Sequence, residues 1–120
     1  MLTSKVEKIL SEHDYEYFEY SGCFDLVAAR KRNFLLLKIL ENVDSFQEEQ
    51  AKNLKILSRN LGAFSCLIGL QTRYETLQDA VIYERFGIKT LTPHTFDNIL
   101  NNNPPWIYRF RGGLFVEVDP

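Results

Sequence analysis

The chain has 120 residues, 45% of them hydrophobic and 25% charged, with a formal net charge of -2. That is enough for one domain with a true core, but not comfortably two. No global basic field advertises nucleic acid, so any such surface must be a local patch. The longest apolar run, Phe34–Leu37, is far too short to cross a bilayer.

Met1 leads into a polar, charged stretch rather than a signal-peptide core, and a cytoplasmic location is expected. Cys23 and Cys66 show no CxxC spacing and read as reduced, buried thiols. Ser4-Lys5-Val6-Glu7 has the form of a capping box. It opens a helix to about His13, with Val6, Ile9 and Leu10 on one face.

Tyr15–Tyr20 alternates and predicts a strand with a wet edge. After the Ser21-Gly22 turn, Cys23–Ala29 is a second strand. Arg30-Lys31-Arg32-Asn33 closes a hairpin, with Asn33 the residue expected to take positive φ. Phe34–Leu40 is apolar on both faces, which indicates a central strand covered on both sides.

Ser45 and Glu48 form a second apparent capping box, opening a helix over about 46–61. Glu48 and Lys52 form an i,i+4 pair in the favoured order, Leu54, Leu57 and Leu61 make an inward stripe, and Gly62 is the C-terminal cap. Phe64–Leu70 is a fourth strand and 71–78 a polar surface loop. Ala80–Tyr83 and Ile88–Leu91 are short strands around Gly87. Thr92-Pro93 starts a third helix, whose Phe96, Ile99 and Leu100 face inward, and the Asn101–Pro105 run ends it. Trp106–Phe110 and Leu114–Val118 form a hairpin across Gly112-Gly113.

The order helix, three strands, helix, strand gives an α/β fold. An antiparallel meander is followed by a crossover helix that brings the fourth strand in parallel. This order, with Asp25 at the head of strand two and Lys38 inside strand three, resembles the PD-(D/E)XK nuclease fold, including archaeal Holliday junction resolvases. In such enzymes the first acid and the acid of a strand-three ExK hold Mg²⁺, and the lysine helps position or activate the attacking water. By that resemblance Asp25 is the first acid, Lys38 the lysine and Glu7 the helix candidate. The second acid falls on Leu36, which cannot bind a metal. A displaced carboxylate would have to come from Glu48 or Glu49.

A narrower resemblance covers nearly the whole chain. FDLVAAR, FLLLKILENVDSF, LGAFSCLIG, YERFGIKTLTPHTFDNIL and PPWIYRFRGGLFVEVD are similar to the amino-terminal domain of archaeal proteins classed as helix-turn-helix transcriptional regulators. The resemblance implies that residues 1–120 are a single nuclease-like domain at the front of a longer regulator, with a DNA-reading helix-turn-helix beyond it. It also implies a non-catalytic role in dimerisation, sensing or auxiliary DNA contact, with no cofactor and with a homodimer as the assembly. The rival expectation is a Mg²⁺-dependent endonuclease acting on duplex or branched DNA.

Each candidate also has a plainer role. Asp25 and Lys38 can be an ion pair between neighbouring strands, since an unpaired buried lysine is costly. Glu7 can be a cap residue. His13 and His94 lack zinc-ligand spacing. Arg30, Lys31 and Arg32 could touch phosphate, or simply form a solvated hairpin tip. Arg109 and Arg111, among Trp106, Tyr108 and Phe110, could stack on bases or face a second subunit.

Overall fold

The computed structural model describes residues 1–101, and the backbone of 107–109 and 115–117. The elements in order are α1 (Leu2–Glu12), β1 (Glu16–Glu19), β2 (Leu26–Arg30), β3 (Asn33–Ile39), α2 (Glu48–Leu61), β4 (Phe64–Ile68), β5 (Val81–Arg85), β6 (Ile88–Leu91), α3 (Pro93–Leu100), β7 (Ile107–Arg109) and β8 (Phe115–Glu117). One mixed sheet runs β1-β2-β3-β4-β6-β5-β7-β8. β1, β2 and β3 form the antiparallel meander, and β4 pairs parallel with β3 through the α2 crossover. This is the α/β arrangement that the order of elements predicts. No helix of the described residues is long and apolar enough to cross a membrane.

β3 divides the molecule. Leu35 and Leu37 point to one face, where Val6, Ile9 and Leu10 of α1 and Phe96 of α3 close a core. Leu36 points to the other, where Ala51 and Leu54 of α2 pack with Phe46, Leu67 and Ile88. The period-two alternation of a strand therefore feeds two separate cores, and both are apolar because helices cover both faces. Burying each of these leucines stabilises the fold by about 2 kcal/mol.

Several local expectations need correcting. α1 begins at Leu2 with Met1 as its cap residue, so Ser4 and Glu7 lie inside the helix and form no capping box. α2 begins at Glu48 with Gln47 as its cap, and the Gln50 side chain accepts from the Gln47 amide at 3.0 Å. The short 3₁₀ turn at Val43–Ser45 consumes the predicted Ser45 cap. In the β2–β3 hairpin positive φ falls on Lys31, not Asn33, because Arg30 and Asn33 are the closing pair of the ladder. Leu61 is 56% exposed; Leu54 is buried and Leu57 packs half-buried against the same core as expected, with Ala51 and Ser58 completing the inward face of α2.

Other local readings hold. Gly62 caps α2 in the left-handed region at φ 62°. Phe86-Gly87 joins β5 and β6 with positive φ at both residues, the geometry of a type I′ hairpin. Thr92 caps α3, its hydroxyl accepting from the Thr95 amide at 3.2 Å, with Pro93 in the first turn. The polar 71–78 loop is less free than its composition implies. Asp44 accepts from the Arg73 amide at 2.8 Å, and Leu77 is buried in the α2-side core. The Trp106, Phe110, Arg111 and Gly112-Gly113 readings lie outside the described residues, although β7 and β8 do pair antiparallel.

Gly69, just past β4, is held by close approach rather than by φ. A Cβ there would strike the Val43 side chain and come within 2.6 Å of the Leu40 carbonyl oxygen. Gly62, by contrast, faces open space. Urea unfolding should therefore separate the two: Gly69→Ala should cost about 3 kcal/mol and Gly62→Ala only about 1 kcal/mol. Equal losses would show that the Val43 contact does not constrain the fold.

Candidate functional site

Asp25 precedes β2, and its amide donates to the Leu37 carbonyl at 2.7 Å, so the chain enters the sheet directly beside β3. That crossing carries the Asp25 carboxylate to the C-terminal end of β3, beside Lys38. Lys38 Nζ lies 3.5 Å from Asp25 Oδ1 and donates to the Gly22 carbonyl at 3.2 Å. Asp25 Oδ2 accepts from the Ile39 amide at 2.7 Å. Lys38 is buried and Asp25 is partly so. The lysine is thus satisfied on one side by charge and on the other by a backbone dipole, as a buried ammonium requires.

Leu36 is fully buried and packs in the α2-side core with Phe24, Val43 and Phe46. An acid at this position would have no water to solvate it. The other carboxylates do not gather here. Glu7 sits on α1 near Glu19; desolvation first, then the neighbouring Glu19 carboxyl, which favours the protonated form by hydrogen bonding and by charge repulsion, raises its pKa. Glu48 and Glu49 line an open surface depression with Lys52, Lys55 and Phe86. Among the described residues no three His, Cys, Asp or Glu side chains are grouped to hold a metal. Mg²⁺ needs oxygen ligands around it. The Asp25 oxygens face Lys38 and the Ile39 amide, and the position of the second acid holds leucine, so this donor set does not fit the ion.

A PD-(D/E)XK superfamily domain matches residues 1–105. The chain belongs to that superfamily. Its curated relatives carry the name "Putative HTH-type transcriptional regulatory protein". The one from Pyrococcus furiosus is 43% identical over 98% of this chain and 39% of its own length. The one from Methanocaldococcus jannaschii is 38% identical over 99% of this chain and 38% of its own length, and one from Methanococcus vannielii is 43% identical over 99% and 37%. The chain therefore spans about two fifths of the length of these relatives, at their amino-terminal part. No solved structure matches it.

The basic candidates divide in the same way. Arg30 turns inward: its Nη1 donates to the His13 carbonyl at 3.0 Å, and its guanidinium lies 4.8 Å from the centre of the Tyr15 ring. Lys31 and Arg32 stay exposed at the hairpin tip. Arg109 lies in β7, and Arg111 falls outside the described residues. His13 joins α1 to α3, its Nε2 2.7 Å from Asp97 Oδ1. Sequence spacing gives no hint of that link, because 84 positions separate the two residues. The backbone partners of the Asp25–Lys38 pair, Gly22 and Ile39, are equally invisible, since any residue type supplies them.

Two outcomes follow. Asp25→Ala strips Lys38 of its counter-charge and the Ile39 amide of its acceptor, and should cost about 2–3 kcal/mol, whereas the similarly sized Lys38→Met should cost under about 1 kcal/mol. A larger loss for Lys38→Met in urea unfolding would show that the charge itself stabilises the strand. Glu7 is an acid whose folded pKa is raised, so the folded state binds more protons than the unfolded one above the ordinary value of 4.5. Stability contributed by the protonated form is present at low pH and lost as pH rises through the raised pKa. Glu7→Gln should therefore flatten that part of the stability–pH curve and raise stability at neutral pH. An unchanged slope would contradict the Glu7–Glu19 contact.

Proposed function

We propose that this domain is a non-catalytic member of the nuclease superfamily that dimerises a cytoplasmic transcriptional regulator. The burial of Leu36 where the second metal-binding acid would stand carries this reading. The names of the relatives supply the regulatory context. A helix-turn-helix beyond residue 120 would bind DNA, and paired units need a fixed spacing to read two half-sites.

The surface that best supports dimerisation is the corner where α2 ends and β4 begins. Leu61 and Phe64 are exposed there, and Phe64 starts the strand beside Leu35, next to the exposed Phe34. A concentration of large apolar side chains at one end of the sheet favours partner contact over plain solvation. The exposed Lys31 and Arg32 are too few to anchor duplex DNA without a second domain.

Light scattering at micromolar concentration should give a species of twice the 14.0 kDa chain mass. A single 14.0 kDa species would overturn dimerisation. Phe64→Asp and Leu61→Glu should each yield monomer with little change in unfolding midpoint, since both sites are exposed; persistent dimers would exclude this corner. With Mg²⁺ or Mn²⁺ and duplex or branched DNA, cleavage should not exceed that of Asp25→Asn. Metal-dependent cleavage abolished by Asp25→Asn would reinstate the enzyme.

A further inference from the structure

Between β3, β4 and α3 lies a cavity of about 340 Å³ that the nuclease-like site does not use. Its wall includes Tyr15, Leu35, Phe64, Cys66 and Phe96, with Arg30 at one side. The volume falls at the small end of the range for small-molecule sites, and an apolar wall with a few convergent polar groups is their usual chemistry.

Arg30 is the informative residue. Among the described residues its guanidinium makes one hydrogen bond, to the uncharged His13 carbonyl, and it forms no ion pair with a carboxylate. Asp14 and Glu16 lie on its other side, in a surface groove shared with Lys31, and neither reaches it at ion-pair distance. The Tyr15 ring and the His13 carbonyl fix the guanidinium plane, so several of its donors are already oriented at little further entropic cost. Cys66 adds no opposing charge. Burial pushes its thiol up to about 12, against a smaller opposite pull from Lys89, so it is neutral at physiological pH.

We infer that this cavity binds a small monocarboxylate with a compact apolar body, the carboxylate paired to Arg30 and the body lying against Leu35, Cys66 and Phe96. Charge complementarity decides the class. An apolar molecule alone would leave the guanidinium without a counter-charge, and a polyanion would meet apolar walls. α3 forms one side of the cavity, through Phe96, Ile99 and Leu100. Phe64 borders both this cavity and the proposed dimer corner, so Leu61→Glu, which lies outside the cavity wall, is the variant that separates failure of dimerisation from failure of binding.

The test titrates the 120-residue chain with octanoate, 3-phenylpropanoate and the neutral octan-1-ol, using calorimetry and amide chemical shifts. At least one carboxylate should bind about tenfold tighter than the alcohol, as expected for one charge-assisted contact. Saturable shifts should centre on Leu35, Cys66 and Phe96. Which carboxylate wins tells whether the natural body is linear or aromatic. Arg30→Gln should erase the preference, Arg30→Lys should keep part of it, and Ile99→Trp, which fills the cavity from α3, should block all three compounds. If Ile99→Trp fails to fold, the shift map and the Arg30 pair still decide. Equal binding of alcohol and acids, a preference unchanged by Arg30→Gln, or shifts scattered over the surface would each overturn the site.

Discussion

The structure depends on how one ammonium group is accommodated inside a central strand. β3 is covered on both faces, so Lys38 must be neutralised locally or the strand cannot sit there. The chain does this by bringing residues 22–25 across the end of β3, where the Gly22 carbonyl and the Asp25 carboxylate converge on Nζ. The same crossing sets the entry of β2, because the Asp25 amide also pairs with Leu37. Charge satisfaction and strand register are therefore one constraint.

That constraint gives the Asp25–Lys38 pair a structural role that stands without any catalytic one. A catalytic lysine is useful when an acid beside it holds a metal; a structural lysine needs only a counter-charge. With leucine at position 36 the face beside Lys38 joins the α2-side core, and the Asp25–Lys38 pair becomes part of the strand's own support. Keeping the pair does not by itself require catalysis. The superfamily membership fixes the scaffold, while the side chain at position 36 bears on activity.

Much of this was legible in the sequence. The double apolar character of Phe34–Leu40 announced a central strand, and the helix after it announced the parallel crossover. Gly62, Thr92-Pro93 and the Asp25–Lys38 pairing were readable because each rests on a residue type with a narrow physical role. The caps at Ser4 and Ser45 were not, because a capping box is a four-residue pattern that also occurs by chance inside helices and turns. Leu61 kept the helical period but is the last residue of α2 and stays exposed, so period alone did not bury it. The Arg30 cavity was out of reach altogether. Its walls come from Tyr15 between α1 and β1, from β2, β3, β4 and β6, and from α3, and only the folded topology brings them together.

The first strand has a bearing on how copies of the chain can assemble. β1 stands at one border of the sheet, and Glu16 and Glu19 are exposed along it. Two such borders laid side by side would set carboxylates against one another, which disfavours pairing through backbone hydrogen bonds. Growth of the sheet from copy to copy is therefore disfavoured on that side. Any closed assembly of this chain would then rest on side-chain contacts elsewhere.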